Sequence, residues 1–213
     1  MTISPGKVLS INIARESHAQ SWTESGNRTG INKISVEGLI QFGEDGVAGD
    51  NVVDRVHHGG YHKAVYAYAR EDACWWEEKI GKTIAPGQFG ENLTTEGIDV
   101  TGAVIGEQWR IGNLLLEVAE PRIPCRIFSG FWDRPTLIKE FTEANRPGAY
   151  LRIIEEAMIE RGSGIEVVSK PNHGITIGDI FAAKSGERGR IKEIAQVAEL
   201  SPEYQEWAQR VAN

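Results

Sequence analysis

Residues 106–125 read GEQWRIGNLLLEVAEPRIPC. Trp109 and Ile111 alternate on a first arm, and Leu114, Leu116 and Val118 alternate on a second. Gly112-Asn113 stands at the bend, so the stretch predicts a tight β-hairpin with one face of each arm turned to a core. Pro121 ends the second arm. Pro121 and Pro124 together set two backbone angles and remove two amide donors, which excludes a central strand and makes a rigid corner. Cys125 closes that corner between Arg122 and Arg126.

Working outward, the chain continues to read as strands with few helices. KVLSINIA (7–14) predicts a half-buried strand with Leu9, Ile11 and Ile13 on one face. KISVEGLI predicts another, GEDGVAGD (43–50) a turn-rich loop, and KAVYAYA (63–69) a buried strand. REDACWWEEKIG (70–81) has Ala73, Trp76 and Ile80 at helical spacing and Gly81 as a stop. Beyond the corner, RPTLIKEFTEANRPG predicts a short helix, and AYLRIIEE, GIEVVSK and HGITIGDIF predict further strands. The 24 glycines fall mostly singly near turns, as in a strand-rich fold. After Lys184 the composition turns polar and helical. Ile191, Ile194 and Val197 form one apolar stripe there, Trp207 and Val211 another, and Ser201-Pro202 starts a helix. The expectation is a mainly β domain over residues 1–182 and a short helical segment over 185–213.

A chain of 213 residues with ordinary apolar content can bury a core without disulfides. Its two cysteines make no disulfide framework. The net charge of -7 argues against general nucleic-acid binding, but leaves room for a local basic pocket. No signal peptide and no bilayer-length apolar run is legible, so the expected setting is soluble and cytoplasmic, without membrane attachment. Walker, dinucleotide-binding and Gly-x-Ser-x-Gly patterns are missing from the sequence.

Three stretches carry candidate chemistry. DRVHHGGYHKAVY (54–66) gathers Arg55, His57, His58, His62 and Lys63 around Gly59 and Gly60. Glycines admit close backbone approach, and Arg and Lys suit an anionic group such as phosphate. A solvated loop is the plainer alternative. The histidine spacing matches no standard zinc pattern. In GQFGENLTTEG (87–97), Asn92 and Thr94 or Thr95 offer hydrogen bonds to a ligand, and Glu91 offers to orient a basic neighbour. The competing reading is a turn whose polar groups satisfy its own backbone. In PRIPCRIF (121–128), the two arginines would favour a Cys125 thiolate, a soft ligand and nucleophile. A small buried cysteine is the alternative. Cys74, beside two tryptophans on a helix, reads as packing.

As an ordered set, HGGYHKAVYAY, GQFGENLTTEG, IGEQWRIGNLLLEVAEPRIPC and PGAYLRIIEEA resemble the MOSC domains. That family is named for the C-terminal domain of molybdenum-cofactor sulfurase, and the similarity is to its bacterial stand-alone, YiiM-like branch. The resemblance covers roughly residues 6–181 and implies a β-barrel with a few short helices and a small C-terminal helical tail. It implies binding of the molybdenum cofactor, a molybdopterin with a phosphate tail. Cys125 would be its metal ligand or a sulfur carrier, and Arg55, His58, Gly59, Gly60, Lys63, Asn92 and Arg122 its binding residues. It further implies an oxidoreductase acting on a small N-hydroxylated substrate, supplied with electrons by a separate reductase. A sulfur-transfer module carrying a persulfide, fed by a sulfur donor, is the alternative, and a non-catalytic binding domain stands behind both. Pyridoxal phosphate is not expected on this chain. One departure stands out: many relatives have Pro-Asp after the paired glycines, where this chain has Tyr61-His62.

Overall fold

The computed structural model describes residues 6–16, 28–53 and 59–213. Its strands are β1 (Gly6–Ile13), β2 (Ile34–Val36), β3 (Ile40–Gly43), β4 (Gly46–Val47), β5 (Val65–Ala69), β6 (Leu93–Glu96), β7 (Gln108–Ile111), β8 (Leu114–Pro121), β9 (Ala149–Glu155), β10 (Ala157–Ile159) and β11 (Gly164–Ser169). The helices are α1 (Arg70–Ile80), α2 (Arg126–Phe131), α3 (Leu137–Ala144), α4 (Ile177–Lys184), α5 (Ile191–Ile194) and α6 (Pro202–Ala212), with 3-10 turns at Tyr61–Lys63 and Arg188–Arg190.

Seven strands close into a barrel in the order β11-β7-β8-β9-β5-β6-β1, because β1 also pairs with β11. Closure leaves no free edge in that ring. All of its pairs are antiparallel except β5–β6, and α1 lies in the crossover that a parallel pair requires. β2 adds to the far half of β1, and β10, β3 and β4 form a separate small sheet. The predicted hairpin forms in register, Trp109 opposite Leu116 and Ile111 opposite Leu114.

β5 is buried on both faces, which is why KAVYAYA has no charged side chain between Ala64 and Ala69, and the Tyr66 and Tyr68 hydroxyls donate to the Pro147 and Arg146 carbonyls. Val65, Ala67 and Ala69 point into the barrel core with Trp109, Leu116, Val118 and Leu151. Tyr66 and Tyr68 point outward into a second, aromatic core with Trp76, Phe89, Phe128, Phe141 and Tyr150. The small-large alternation therefore feeds two cores at once. The stripe of Ile191, Ile194 and Val197 packs into the barrel core, joined by Tyr204 and Ala208 of α6. Trp207 and Val211 pack only at its margin.

Three sequence expectations change. A bulge in β1 falls at Leu9, between the Val8 and Ser10 pairings, so Val8 joins Ile11 and Ile13 in the core while Leu9 is only half-buried. HGITIGDIF is not a strand. Thr176 and Asp179 form a capping box that starts α4 instead. Cys74 is exposed rather than packed, because α1 turns Ala73 and Trp76 inward and leaves the intervening position outside.

The aromatic layer depends on one close approach. Gly148 has φ +67°, and a Cβ there would lie 2.6 Å from the Ala67 carbonyl oxygen and 2.8 Å from both Tyr66 and Tyr68 rings. We expect Gly148→Ala to cost about 2–4 kcal/mol through overpacking and left-handed strain together. Urea denaturation would read it as a lower midpoint with an unchanged slope.

Candidate functional site

The rigid corner places its side chains on a known frame. Pro121 is the last residue of β8, paired with Ala149 of β9. Cys125, half-buried, then stands at the N-cap position of α2, with extended backbone, and its carbonyl accepts the Ser129 amide at 3.2 Å. The helix that follows the corner, RIFSGF, was not expected from the sequence. It turns Phe128 into the aromatic core, and Cys125 packs against the margin of that core.

Arg122 is only 4 % exposed. Its guanidinium lies 4.1 Å from the Phe128 ring centroid and 5.8 Å from that of Tyr66. Tyr150, whose ring is 5.2 Å from Tyr66, stands close enough to feel the same cation. Burial pushes the Tyr150 hydroxyl up to about 12, against the opposing pull of the Arg122 cation. Nη1 of Arg122 is buried without a hydrogen-bond partner, and no carboxylate pairs with it among the described residues. A buried cation balanced only by ring faces and a phenol is costly unless an anion meets it.

The other predicted cation behaves differently. Lys63, at the end of the turn after Gly59-Gly60, pairs with Glu120 of β8 at 3.3 Å and with Glu203 of α6 at 3.8 Å. Burial raises the Glu120 carboxyl, and Lys63 opposes that shift. Gly60 has φ 86° and ψ 176°, a backbone region that other residues avoid, and the space around it is open. Arg55 and His58 lie outside the described residues. Among the described residues no cluster of three His, Cys, Asp or Glu side chains is arranged to hold a metal ion, and no helix is long and apolar enough to cross a membrane.

Asn92 is placed at the junction of β5, β6 and β1, with its whole amide engaged by protein. Its Oδ1 accepts the Tyr66 amide at 3.2 Å, and its Nδ2 donates to the Asn12 carbonyl at 3.3 Å and to Asp50 Oδ2 at 2.9 Å. Asp50 also accepts the Ala14 amide at 2.7 Å and pairs with buried Lys33, whose ammonium burial holds below its usual range. Glu91 accepts the Gly87 and Phe89 amides at 2.6 and 3.0 Å and the Thr94 hydroxyl at 2.8 Å. Burial raises its carboxyl, and these bonds oppose the rise. Of the two readings of GQFGENL, these bonds favour the one in which the polar groups satisfy the protein's own backbone and side chains. Asn92 is thus tied to the backbone of Tyr66, whose ring is 5.8 Å from the Arg122 guanidinium and 5.2 Å from Tyr150.

Sequence reasoning missed Tyr66, Tyr150 and Phe128, which surround Arg122. The only sequence signal was the aromatic alternation in VYAYA and the Tyr150 in GAYLRI, which periodicity assigns to a core without distinguishing which one.

Comparison with known proteins agrees with this geometry. The MOSC domain profile matches residues 54–166, which hold the glycine-pair loop, Asn92 and the Cys125 corner. The uncharacterized protein YflK of Bacillus subtilis (strain 168) is 29% identical over 172 residues, covering 80% of this chain and 76% of that protein. A protein named reductase from Gibberella moniliformis is 27% identical over 174 residues, 80% of this chain but only 30% of that longer protein. The crystal structure of YiiM from Geobacillus stearothermophilus superposes with a TM-score of 0.80 at 27% identity, over 97% of this chain and 98% of that one. With more than half of its length inside the profile, and with a barrel shared end to end with YiiM, the chain belongs to the MOSC domain family.

Proposed function

We propose that this protein binds the molybdenum cofactor at the Cys125 corner and reduces small N-hydroxylated compounds with electrons from a separate reductase. The observation that carries the reading is Arg122, a cation buried three residues before Cys125 on the same rigid corner, with one nitrogen unpartnered among the described residues. Its setting fits an anionic ligand, because the guanidinium supplies charge while the buried Tyr66 and Phe128 rings hold it in place without neutralising it. Cys125 would supply a soft sulfur ligand from a stiff backbone. Family membership and the relative named reductase support the same reading.

When bound, the cofactor would supply two-electron redox chemistry at molybdenum. The overall change is R–NHOH plus two electrons and two protons giving R–NH2 and water, with the N–O bond broken. Arg122 would hold the anionic group, and Asn92 would hold the Tyr66 backbone in place. Lys63 already has protein carboxylates, so it is a weaker candidate for the anion than Arg122. Of the two roles for Cys125, metal ligand is favoured over sulfur carrier, because a buried cation on the same corner asks for a resident anion.

The decisive experiment is metal and pterin analysis of protein from a molybdenum-replete host, with a reduced-dye assay on N-hydroxylated purines and amidoximes. Wild type should carry molybdenum and pterin in equal amounts and turn over at least one substrate. Arg122→Met should lose bound pterin with its fold intact by circular dichroism, and Cys125→Ala should abolish turnover. Wild-type protein that never holds either component would overturn the reading.

A second expectation concerns Asn92. Replacing its amide by a carboxylate in Asn92→Asp would face Asp50 with a like charge and remove a donor, so the cost is about 3 kcal/mol or more of stability. Thermal melts should show a large loss before any ligand is added. An Asn92→Asp protein of normal stability that merely bound ligand weakly would instead make Asn92 a contact residue.

A further inference from the structure

The structure gives the His62 imidazole a specific partner. Arg152 of β9, 5 % exposed, donates its Nε–H to His62 Nδ1 at 2.9 Å. Arginine has no acceptor and stays protonated, so Nδ1 must be bare and the ring neutral with its proton on Nε2. The same guanidinium donates to Glu117 of β8 at 2.5 Å and to the Glu199 carbonyl, ahead of α6, at 2.7 Å. One buried cation therefore ties the turn at Tyr61–Lys63 to two barrel strands and to the C-terminal segment.

We propose that the Arg152–His62 hydrogen bond is an acid-sensitive latch on the turn at Tyr61–Lys63, with His62 as the positioning residue that holds this turn against β9 at neutral pH and releases it in acid. Protonation at Nδ1 turns an acceptor into a donor facing a donor, and sets two cations in contact. The bond cannot survive that change. Arg152 keeps Glu117 and the Glu199 carbonyl, so the barrel and tail stay joined and only the turn lets go. The turn is built to move there. Its described backbone bond is Lys63 N–H to the Gly60 carbonyl at 3.0 Å, and Gly60 is a hinge in open space.

The charges around His62 set the direction. Arg152 from β9 and Lys63 from its own turn oppose protonation, Glu117 from β8 favours it, and the Tyr61 ring stands edge-on at 5.2 Å. Glu120 of β8 and Glu203 of α6 face Lys63 beyond. Burial, then Arg152 and Lys63, lower the His62 pKa below its ordinary value. A histidine depressed in the fold contributes its full stability above the unfolded value of about 6.5, and loses it as pH falls from there through the folded value. A carboxylate at this position would keep a salt bridge to Arg152 through that whole window, so the acid sensitivity comes from the imidazole.

The consequence for a bound anion rests on the function proposed above, but the latch does not. Amide hydrogen exchange at Lys63 and Ala64, corrected for the intrinsic effect of pH, tests it on the full chain at about pH 7.5 and about pH 5.5, either side of the histidine range. Wild type should lose protection in these amides in acid while β8 and β9 keep theirs. His62→Gln accepts from Arg152 without titrating, so it should stay protected at both values, and His62→Ala should be unprotected at both. Equal loss in wild type and His62→Gln, or no loss in wild type, overturns the latch. Wild type that shows the switch yet never holds pterin would defeat the proposed function and leave the latch standing.

Discussion

Everything near the site hangs on a strand that is buried on both faces. β5 sends Val65, Ala67 and Ala69 into the barrel and Tyr66 and Tyr68 into the aromatic layer. Burial on both sides forbids any unpaired backbone group, and the parallel junction with β6 begins one residue too late to satisfy Tyr66. Asn92 fills that gap. Its backbone amide donates to the Tyr66 carbonyl at 2.8 Å, and its side-chain oxygen accepts the Tyr66 amide. The asparagine acts as a missing strand residue would, while its Nδ2 reaches across to Asp50 and β1. A carbonyl and a donor on one short side chain are both needed, and only an amide offers them.

The two cores divide the labour. The barrel core is aliphatic with Trp109 at its centre, whose indole donates to Glu107 at 2.9 Å. It fixes the positions of β8 and β9 and so of Arg122, Tyr150 and Arg152. The outer core is aromatic, with Phe89 stacked on Tyr68 at 4.2 Å and Trp76 on Phe141 at 5.8 Å. Flat rings can face a guanidinium where aliphatic side chains would only desolvate it. Arg122 can therefore be buried against the aromatic core with no carboxylate paired to it among the described residues.

Much of this was legible in the residues, and the illegible parts share a cause. The 106–121 hairpin, β5 and α1 show their period because nothing distant overrides it. Leu9 misled because a bulge shifts phase by one residue, which no local pattern announces. HGITIGDIF misled because β-branched residues fit a strand, while the Thr176–Asp179 capping box decided for a helix. The Cys125 corner was readable from its prolines, but the aromatic setting of Arg122 was not. Lys63 is paired, by Glu120 and Glu203, both far from it along the chain, while Arg122 has no carboxylate partner among the described residues, and only the fold shows that difference.

That difference sorts three cations by what they are for. Arg152 has His62, Glu117 and a carbonyl, so its hydrogen-bonding capacity goes into joining elements. Lys63 has two carboxylates of unequal exposure, Glu120 buried and Glu203 mostly in solvent, so it is held but not sealed. Arg122 has aromatic faces, a phenol and a vacant donor. Charge alone would have ranked them equally as anion ligands. Desolvation without pairing singles out Arg122, because the free energy withheld from it in the folded chain is what a ligand can return.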